Sequence, residues 1–453
     1  MNLIIFADDL TGTLDTGVQF AKAGIRTSYY SRIEALTSSL ADGEADVYLF
    51  DTESRHLSPK AAYQKLFEAA EAVHAYHPDL ILKKTDSGLR GNIGSELAAV
   101  MNAVQTPVLH FFPAYPRMGR TTENGIQYID GTPVSQSTFG SDPFEPVTRD
   151  SAVTIAAGGG KAGWNAPGSW NGQDGIVVWD ARDDEELFRR AVQVWDLQRR
   201  SGQTAVWAGC AGVAEVLANL LPFPKRDLPA AWETGKIAVI CGSVSNVSRR
   251  QAEAAQQAGF YRVVVPTDGM EAGEPETDGM QFNESENGRM KTGEMEPGRC
   301  RQEQDICGKI AEELSEAYRT HPGCIADTGF PGMDEIQLAA EKRGQTPQQS
   351  GRQVSRRMAG IAAALVREPG IRLMIIGGDT LQAFLELLGT VQLSLLGECA
   401  PGVVRIQIKW ENNTGELLVR SGSFGTPKML TELAGIDWQT VQELPGKDGN
   451  NDL

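Results

Sequence analysis

The chain has 453 residues, more than one hydrophobic core usually serves, so two domains are expected. Hydrophobic residues make up 41% and charged residues 22%, a globular composition, and a formal net charge of −17 argues against the basic face that nucleic acid requires. No apolar run has the length of a membrane span, six scattered cysteines form no Cys-x-x-Cys pair, and five histidines lack ligand spacing, so the expectation is a cytoplasmic protein with reduced thiols and no protein-held metal.

Leu3-Ile4-Ile5-Phe6 reads as a first strand rather than a signal peptide. It runs into Ala7-Asp8-Asp9-Leu10-Thr11-Gly12, and Leu14, Val18 and Ala21 then mark a helix ending near Gly24. Adjacent carboxylates at a strand exit are expensive to place side by side. They are expected to serve a site, to cap the helix, or both. Residues 47–50 form the next apolar run, followed by Asp51-Thr52-Glu53-Ser54-Arg55. The Arg55 guanidinium is a fork that matches a carboxylate. Ser58-Pro59 opens a helix to about Tyr76.

Leu80-Ile81-Leu82 is a third short strand. After it comes the stretch on which the reading turns, Lys83-Lys84-Thr85-Asp86-Ser87-Gly88-Leu89-Arg90-Gly91-Asn92-Ile93-Gly94-Ser95-Glu96. Ile93, Leu97, Val100, Met101 and Val104 give it a helical continuation. Both charge signs, a Ser and glycines thus share one strand-to-helix turn, to which the helix N-terminus adds free N–H groups. Successive strands that each end in ligand-grade residues describe the carboxyl edge of a doubly wound sheet. The turn suits a small, polyhydroxylated anion.

Residues 108–112 are a further strand, and Asp130-Gly131 between short β-prone runs signals a hairpin. Gly158-Gly159-Gly160-Lys161 lacks the Gly-Lys-Ser/Thr ending of a phosphate loop and reads as an ordinary loop. Residues 176–179 are a strand, 184–200 a helix and 205–208 the last strand of this half. Pro222, Pro224 and Pro229 place a linker at 223–235, between domains at 1–222 and 236–453.

The second half restarts with Ile237-Ala238-Val239-Ile240-Cys241, then turns through Gly242-Ser243-Val244-Ser245 into a helix. Residues 268–304, rich in Gly, Glu and Met, read as a flexible acidic insertion without a catalytic role. An amphipathic helix spans 352–368. Leu373-Met374-Ile375-Ile376 ends in Gly377-Gly378-Asp379-Thr380, and a strand near residues 417–419 ends in Arg420-Ser421-Gly422-Ser423-Phe424-Gly425. Glycine turns of this kind let a backbone approach phosphates closely and point to a nucleotide. The fold class expected is α/β, two domains, each with a mostly parallel sheet flanked by helices.

Together, Ala7 to Gly12, Lys84 to Ser87 with Leu89-Arg90-Gly91, Gly377 to Thr380 and Ser421 to Gly425 resemble the four-carbon acid sugar kinases, in order and approximate spacing over essentially the whole chain. The resemblance implies an N-terminal sugar-acid-binding domain and a C-terminal ATP-binding domain. It also implies transfer of the γ-phosphoryl group to the C4 hydroxyl of threonate, erythronate or a 3-oxo-tetronate. By position, the substrate contacts implied are Asp8, Asp9, Arg55, Lys84, Thr85, Asp86, Ser87 and Arg90. The ATP contacts implied are Ser243, Ser245, Gly377, Gly378, Asp379, Thr380 and Gly422. Gly88 stands where Thr or Ser is common in the family, and Arg420 where Lys is common.

For such a reaction Arg55, with Lys84 or Arg90, is expected to hold the substrate carboxylate. Asp9 or Asp86 is expected to take the hydroxyl proton, with Mg²⁺ carried by phosphates and water. Domain closure is expected to exclude water. Two other readings compete. A haloacid-dehalogenase-like phosphatase needs two aspartates one residue apart, whereas Asp8 and Asp9 are adjacent. A non-catalytic sugar-acid-binding protein needs no second domain with its own glycine turns. The partners expected are a sugar acid and ATP, without nucleic acid or membrane. With no heptad or apolar stripe in the sequence, a homodimer stays open.

Overall fold

The computed structural model describes residues 1–142, 145–158, 162–164, 174–200, 204–266, 297–330, 332–342, 344–420 and 424–436. The chain forms two compact units, Met1–Ala231 with Thr390–Thr414, and Trp232–Gly389 with the stretch from Gly415.

In the first unit a parallel sheet runs in the order Thr27–Tyr30, Val47–Asp51, Leu3–Ala7, Leu80–Lys84, Ala205–Gly209, Val108–Phe112, Gly175–Val178, Ala162–Trp164. Helices cover both faces, so the central strands are buried at every position and read as continuous apolar runs rather than alternating ones. Gln392–Ala400 adds antiparallel to Thr27–Tyr30, and Val403–Trp410 adds antiparallel to that. The sequence reading contains neither this returning pair nor the Thr27–Tyr30 strand that receives it. The Asp130-Gly131 turn joins Ile126–Ile129 to Thr132–Pro133 as a hairpin.

The order of strands fixes where a ligand can sit. The chain lays its second and third strands on one side of Leu3–Ala7 and its fourth on the other. At such a reversal the helices leave on opposite faces, and a crevice opens at the carboxyl ends of the strands. The stretches that leave those ends are Asp8-Asp9, Thr52 to Arg55 and Thr85 to Arg90.

The second unit repeats the principle with five parallel strands, in the order Tyr261–Val264, Cys324–Asp327, Ala238–Cys241, Leu373–Ile376, Asn413–Arg420. Ala238–Cys241 is here the strand from which the order reverses. The expected insertion at 268–304 is too long at its far end. Pro297–Thr320 is a helix, because Cys307, Ile310, Ala311 and Leu314 recur at helical spacing and are buried. That helix packs on Pro347–Leu365. The rest of the insertion reading, the core of the Gly158 to Lys161 loop and Gly422 lie outside the described residues. Among the described residues no helix is long and apolar enough to cross a membrane.

Candidate functional site

Asp9 caps the helix Leu10–Ala21, its Oδ1 accepting from the Gly12 amide at 3.0 Å. Capping occupies only one of its oxygens. The other accepts from Arg55 Nη1 at 2.7 Å, while Arg55 Nε and Nη2 fork onto Asp8 at 2.8 and 3.1 Å. Arg55 Nη2 also stands 3.9 Å from Asp86 Oδ1. Asp86 in turn is forked by Arg90 at 2.9 and 3.1 Å and accepts from the amides of Gly88 and Arg90. Arg90 Nη1 reaches Asp142 at 2.9 Å. The candidate residues Asp8, Asp9, Arg55, Asp86 and Arg90 therefore form one alternating ion network. Burial raises the Asp8 carboxyl, but the charges of Arg55, Lys83 and Lys84 more than offset it and hold it below the usual carboxylate range. Asp86 is also raised by burial and held below that range by Arg90, Arg55 and Lys84.

The two lysines of the fourth strand part company, because successive strand residues face opposite ways. Lys83 is fully buried, 3.2 Å from Glu96 Oε2, and donates to the Lys84 carbonyl at 2.8 Å. Glu96 also accepts from Ser54, whose hydroxyl meets that of Thr52 at 2.6 Å. This is an internal brace. Lys84 faces the other way, toward the first helix. A Cβ on Gly12 would collide with Lys84 Nζ and lie 2.5 Å from Asp9 Oδ1, so only glycine admits the ammonium there. Lys84 is 5% exposed and, among the described residues, its Nζ makes no hydrogen bond or close ion pair, although its charge acts on Asp8, Asp15 and Asp86. The neighbouring Thr85 Oγ1 is likewise buried without a partner. A buried hydroxyl left unpaired, next in sequence to an ammonium without a hydrogen bond, is costly unless a ligand completes them. A groove of about 530 Å³, within the range for small-ligand sites, is lined in part by Arg55, Arg90, Gly91 and Asn92. Ser87 is half-buried, its carbonyl accepting from Gln127. Gly88 has a physical reason: a Cβ there would collide with the Phe139 ring, over which Arg90 stacks at 5.1 Å.

In the second unit the Gly242-Ser243 turn and the Gly377–Thr380 turn meet. A Cβ on Gly242 would collide with Thr380 Oγ1, and one on Gly377, whose φ is +118°, would lie 3.4 Å from the Ser243 amide. Gly378 and Asp379 open the helix Gly378–Leu388, with Asp379 exposed. Ser245 caps the helix Asn246–Gln257, its Oγ accepting from the Ser248 amide at 3.2 Å. Two helix N-termini and two glycine turns thus come together, an arrangement that suits phosphate. Arg420 lies beneath it, 2% exposed. It donates to Ser248 Oγ and Gln251 Oε1, and meets no carboxylate among the described residues. Sequence reasoning noted Arg420 only as a departure; its burial could not be read from the glycines around it. Gly242→Val is expected to weaken ATP binding about tenfold or more, the effect of forcing a side chain into a filled contact. Calorimetric titration checks it.

Residues 3–217 match the model of a sugar-binding N-terminal domain, and residues 238–430 that of a nucleotide-binding C-terminal domain. A D-threonate kinase of Salmonella typhimurium is 27% identical over 95% of this chain and 97% of its own length. A D-erythronate kinase of Heliobacterium modesticaldum is 28% identical over 57% of this chain and 61% of its own. In fold, the chain resembles a solved structure from Salmonella typhimurium LT2, with a TM-score of 0.70 and 17% identity over 95% of this chain and 98% of that one. The domain matches define a sugar-binding and a nucleotide-binding half, and the kinase relatives make the chain a phosphotransferase with an alcohol acceptor. The chain belongs to the four-carbon acid sugar kinase family.

Proposed function

We propose that the protein transfers the γ-phosphoryl group of ATP to the C4 hydroxyl of a four-carbon sugar acid, with threonate and erythronate as the first substrates to examine. The observation that carries this reading is Lys84, whose ammonium makes no hydrogen bond or close ion pair among the described residues, next in sequence to the unpaired Thr85 hydroxyl and close to the charge network of Asp8, Asp86, Arg55 and Arg90. Such a set matches a molecule that is at once anionic and rich in hydroxyls. Asp8, Asp9, Arg55, Lys84, Thr85, Asp86, Ser87 and Arg90 are assigned to the acid. Its carboxylate is assigned to the Arg55–Arg90 side. Ser243, Ser245, Gly377, Gly378, Asp379, Thr380 and Gly422 are assigned to ATP.

Among the described residues no three His, Cys, Asp or Glu side chains converge to hold a metal, and Asp327, at the nucleotide edge of the sheet, is forked by Arg262 at 2.6 and 3.1 Å. Mg²⁺ would be carried by phosphate oxygens and water, and would supply charge neutralisation for the transfer. The chain's own contribution is positioning and charge: amides and glycines for the triphosphate, cations and carboxylates for the acid.

The test is ADP release with Mg-ATP against D- and L-threonate, D- and L-erythronate and 3-oxo-tetronate. Turnover of one acid in preference to its epimers is the expected result. Silence across the panel from folded protein contradicts the reading.

A further inference from the structure

The other carboxylates of this region are already engaged. Asp8, Asp9 and Asp86 each lie on a guanidinium, and Glu96 lies on Lys83 and Ser54. Asp51 is 6% exposed, accepts from the Glu53 amide at 2.8 Å, and is pushed by burial well above the usual range, toward a neutral acid. One carboxylate near Lys84 is different. Asp15 stands on the helix Leu10–Ala21, one turn beyond Gly12. Helical side chains lean toward the N-terminus, so Asp15 leans over the bare Gly12 backbone against which Lys84 Nζ is packed. Its side chain is half-buried and, among the described residues, has neither a hydrogen bond nor an ion pair.

We propose that Asp15 accepts the proton of the acceptor hydroxyl while Lys84 holds the same oxygen from the other side; this rests on the kinase reading above. An alcohol oxygen between the two accepts a hydrogen bond from the ammonium and donates one to the carboxylate. As the hydroxyl oxygen forms its bond to the γ-phosphorus, the bond from that phosphorus to the β,γ-bridging oxygen breaks. ADP leaves with that electron pair, and the hydroxyl proton passes to Asp15. The surroundings support the role. Burial raises the Asp15 carboxyl, Glu398 and Asp9 add to it, and Lys84 and Lys22 oppose it, leaving it at about 6. A base at that position is suited to a neutral operating pH. Tyr115 and Cys210 also face it, and burial raises both, so they stay neutral there. Glu215, beside Tyr115, is held by Arg117 at 2.5 Å.

The experiment compares wild type, Asp15→Asn and Asp15→Glu with Mg-ATP and the preferred acid, as pH profiles. The wild-type rate is expected to rise with pH through about 6 as the carboxyl ionises. Asp15→Asn is expected to lose about 100- to 10,000-fold in kcat, with KM for ATP little changed and the acidic limb gone. Asp15→Glu is expected to keep part of the rate with a displaced limb. Near-wild-type kcat in Asp15→Asn with the limb in place overturns the proposal. Should Asp15→Asn fail to fold, an undisplaced limb in Asp15→Glu does the same. Failure of the wild-type protein to make ADP with any acid sinks the kinase reading instead, which separates the two claims.

Discussion

Lys84→Met is expected to lower kcat/KM for the acid about 100- to 1,000-fold while leaving the protein as stable as wild type or more so. The activity loss is that of removing one preorganised charge donor from a developing or bound anion. The stability change has the opposite sign for a plain reason. Lys84 is buried and makes no close ion pair among the described residues, although its charge acts on Asp8, Asp15 and Asp86, so part of its desolvation is left to the folded state. Methionine has a similar stem and removes that penalty. A structural lysine would move both quantities down together. Steady-state kinetics and a thermal unfolding midpoint, measured on the same preparation, read the two effects.

Lys83→Met is expected to do the reverse: to destabilise the first unit by about 3–5 kcal/mol, because it strands the Glu96 carboxylate in the interior. The pair is fully buried and 3.2 Å apart, and Glu96 is tied through Ser54 to Thr52, whose hydroxyl donates to the Ala7 carbonyl at 2.7 Å. The brace thus joins the turn after the third strand, the fourth strand and the helix Ile93–Val104. Replacing both partners, as Lys83→Met with Glu96→Leu, should recover much of the loss, since an apolar pair of similar volume leaves no buried charge. Chemical denaturation of the single and double variants measures the difference. A single variant within about 1 kcal/mol of wild type contradicts the brace.

The sequence made the site's location plain and its wiring obscure. Apolar runs that end in Asp8-Asp9, in Asp51 to Arg55 and in Lys84 to Arg90 declare the carboxyl edge of a parallel sheet, because polar residues are tolerated only where a buried strand stops. Gly377 to Thr380 and Gly242-Ser243 are legible for the same reason. What could not be read is which cation meets which anion. Lys83 and Lys84 look equivalent in the sequence, yet one turns toward Glu96 and the other toward Gly12. Arg55 looks like a free fork for a substrate, and the fold closes it on Asp8 and Asp9. Asp15 sits inside an ordinary helical pattern, where a polar residue usually means a solvated face. Only its burial and the charges of Lys84, Glu398 and Asp9 around it mark it out. The strand Gln392–Ala400 was illegible because its partner, Thr27–Tyr30, lies more than three hundred residues away in sequence, and Val403–Trp410 pairs with it in turn.

The central claim is regiospecific phosphoryl transfer to a four-carbon sugar acid, and NMR of the reaction product tests it most directly. The account predicts ADP and an acid whose C4 carbon is coupled to phosphorus, formed in equal amounts. Free phosphate with an unmodified acid, or phosphorus on C2 or C3, would contradict it.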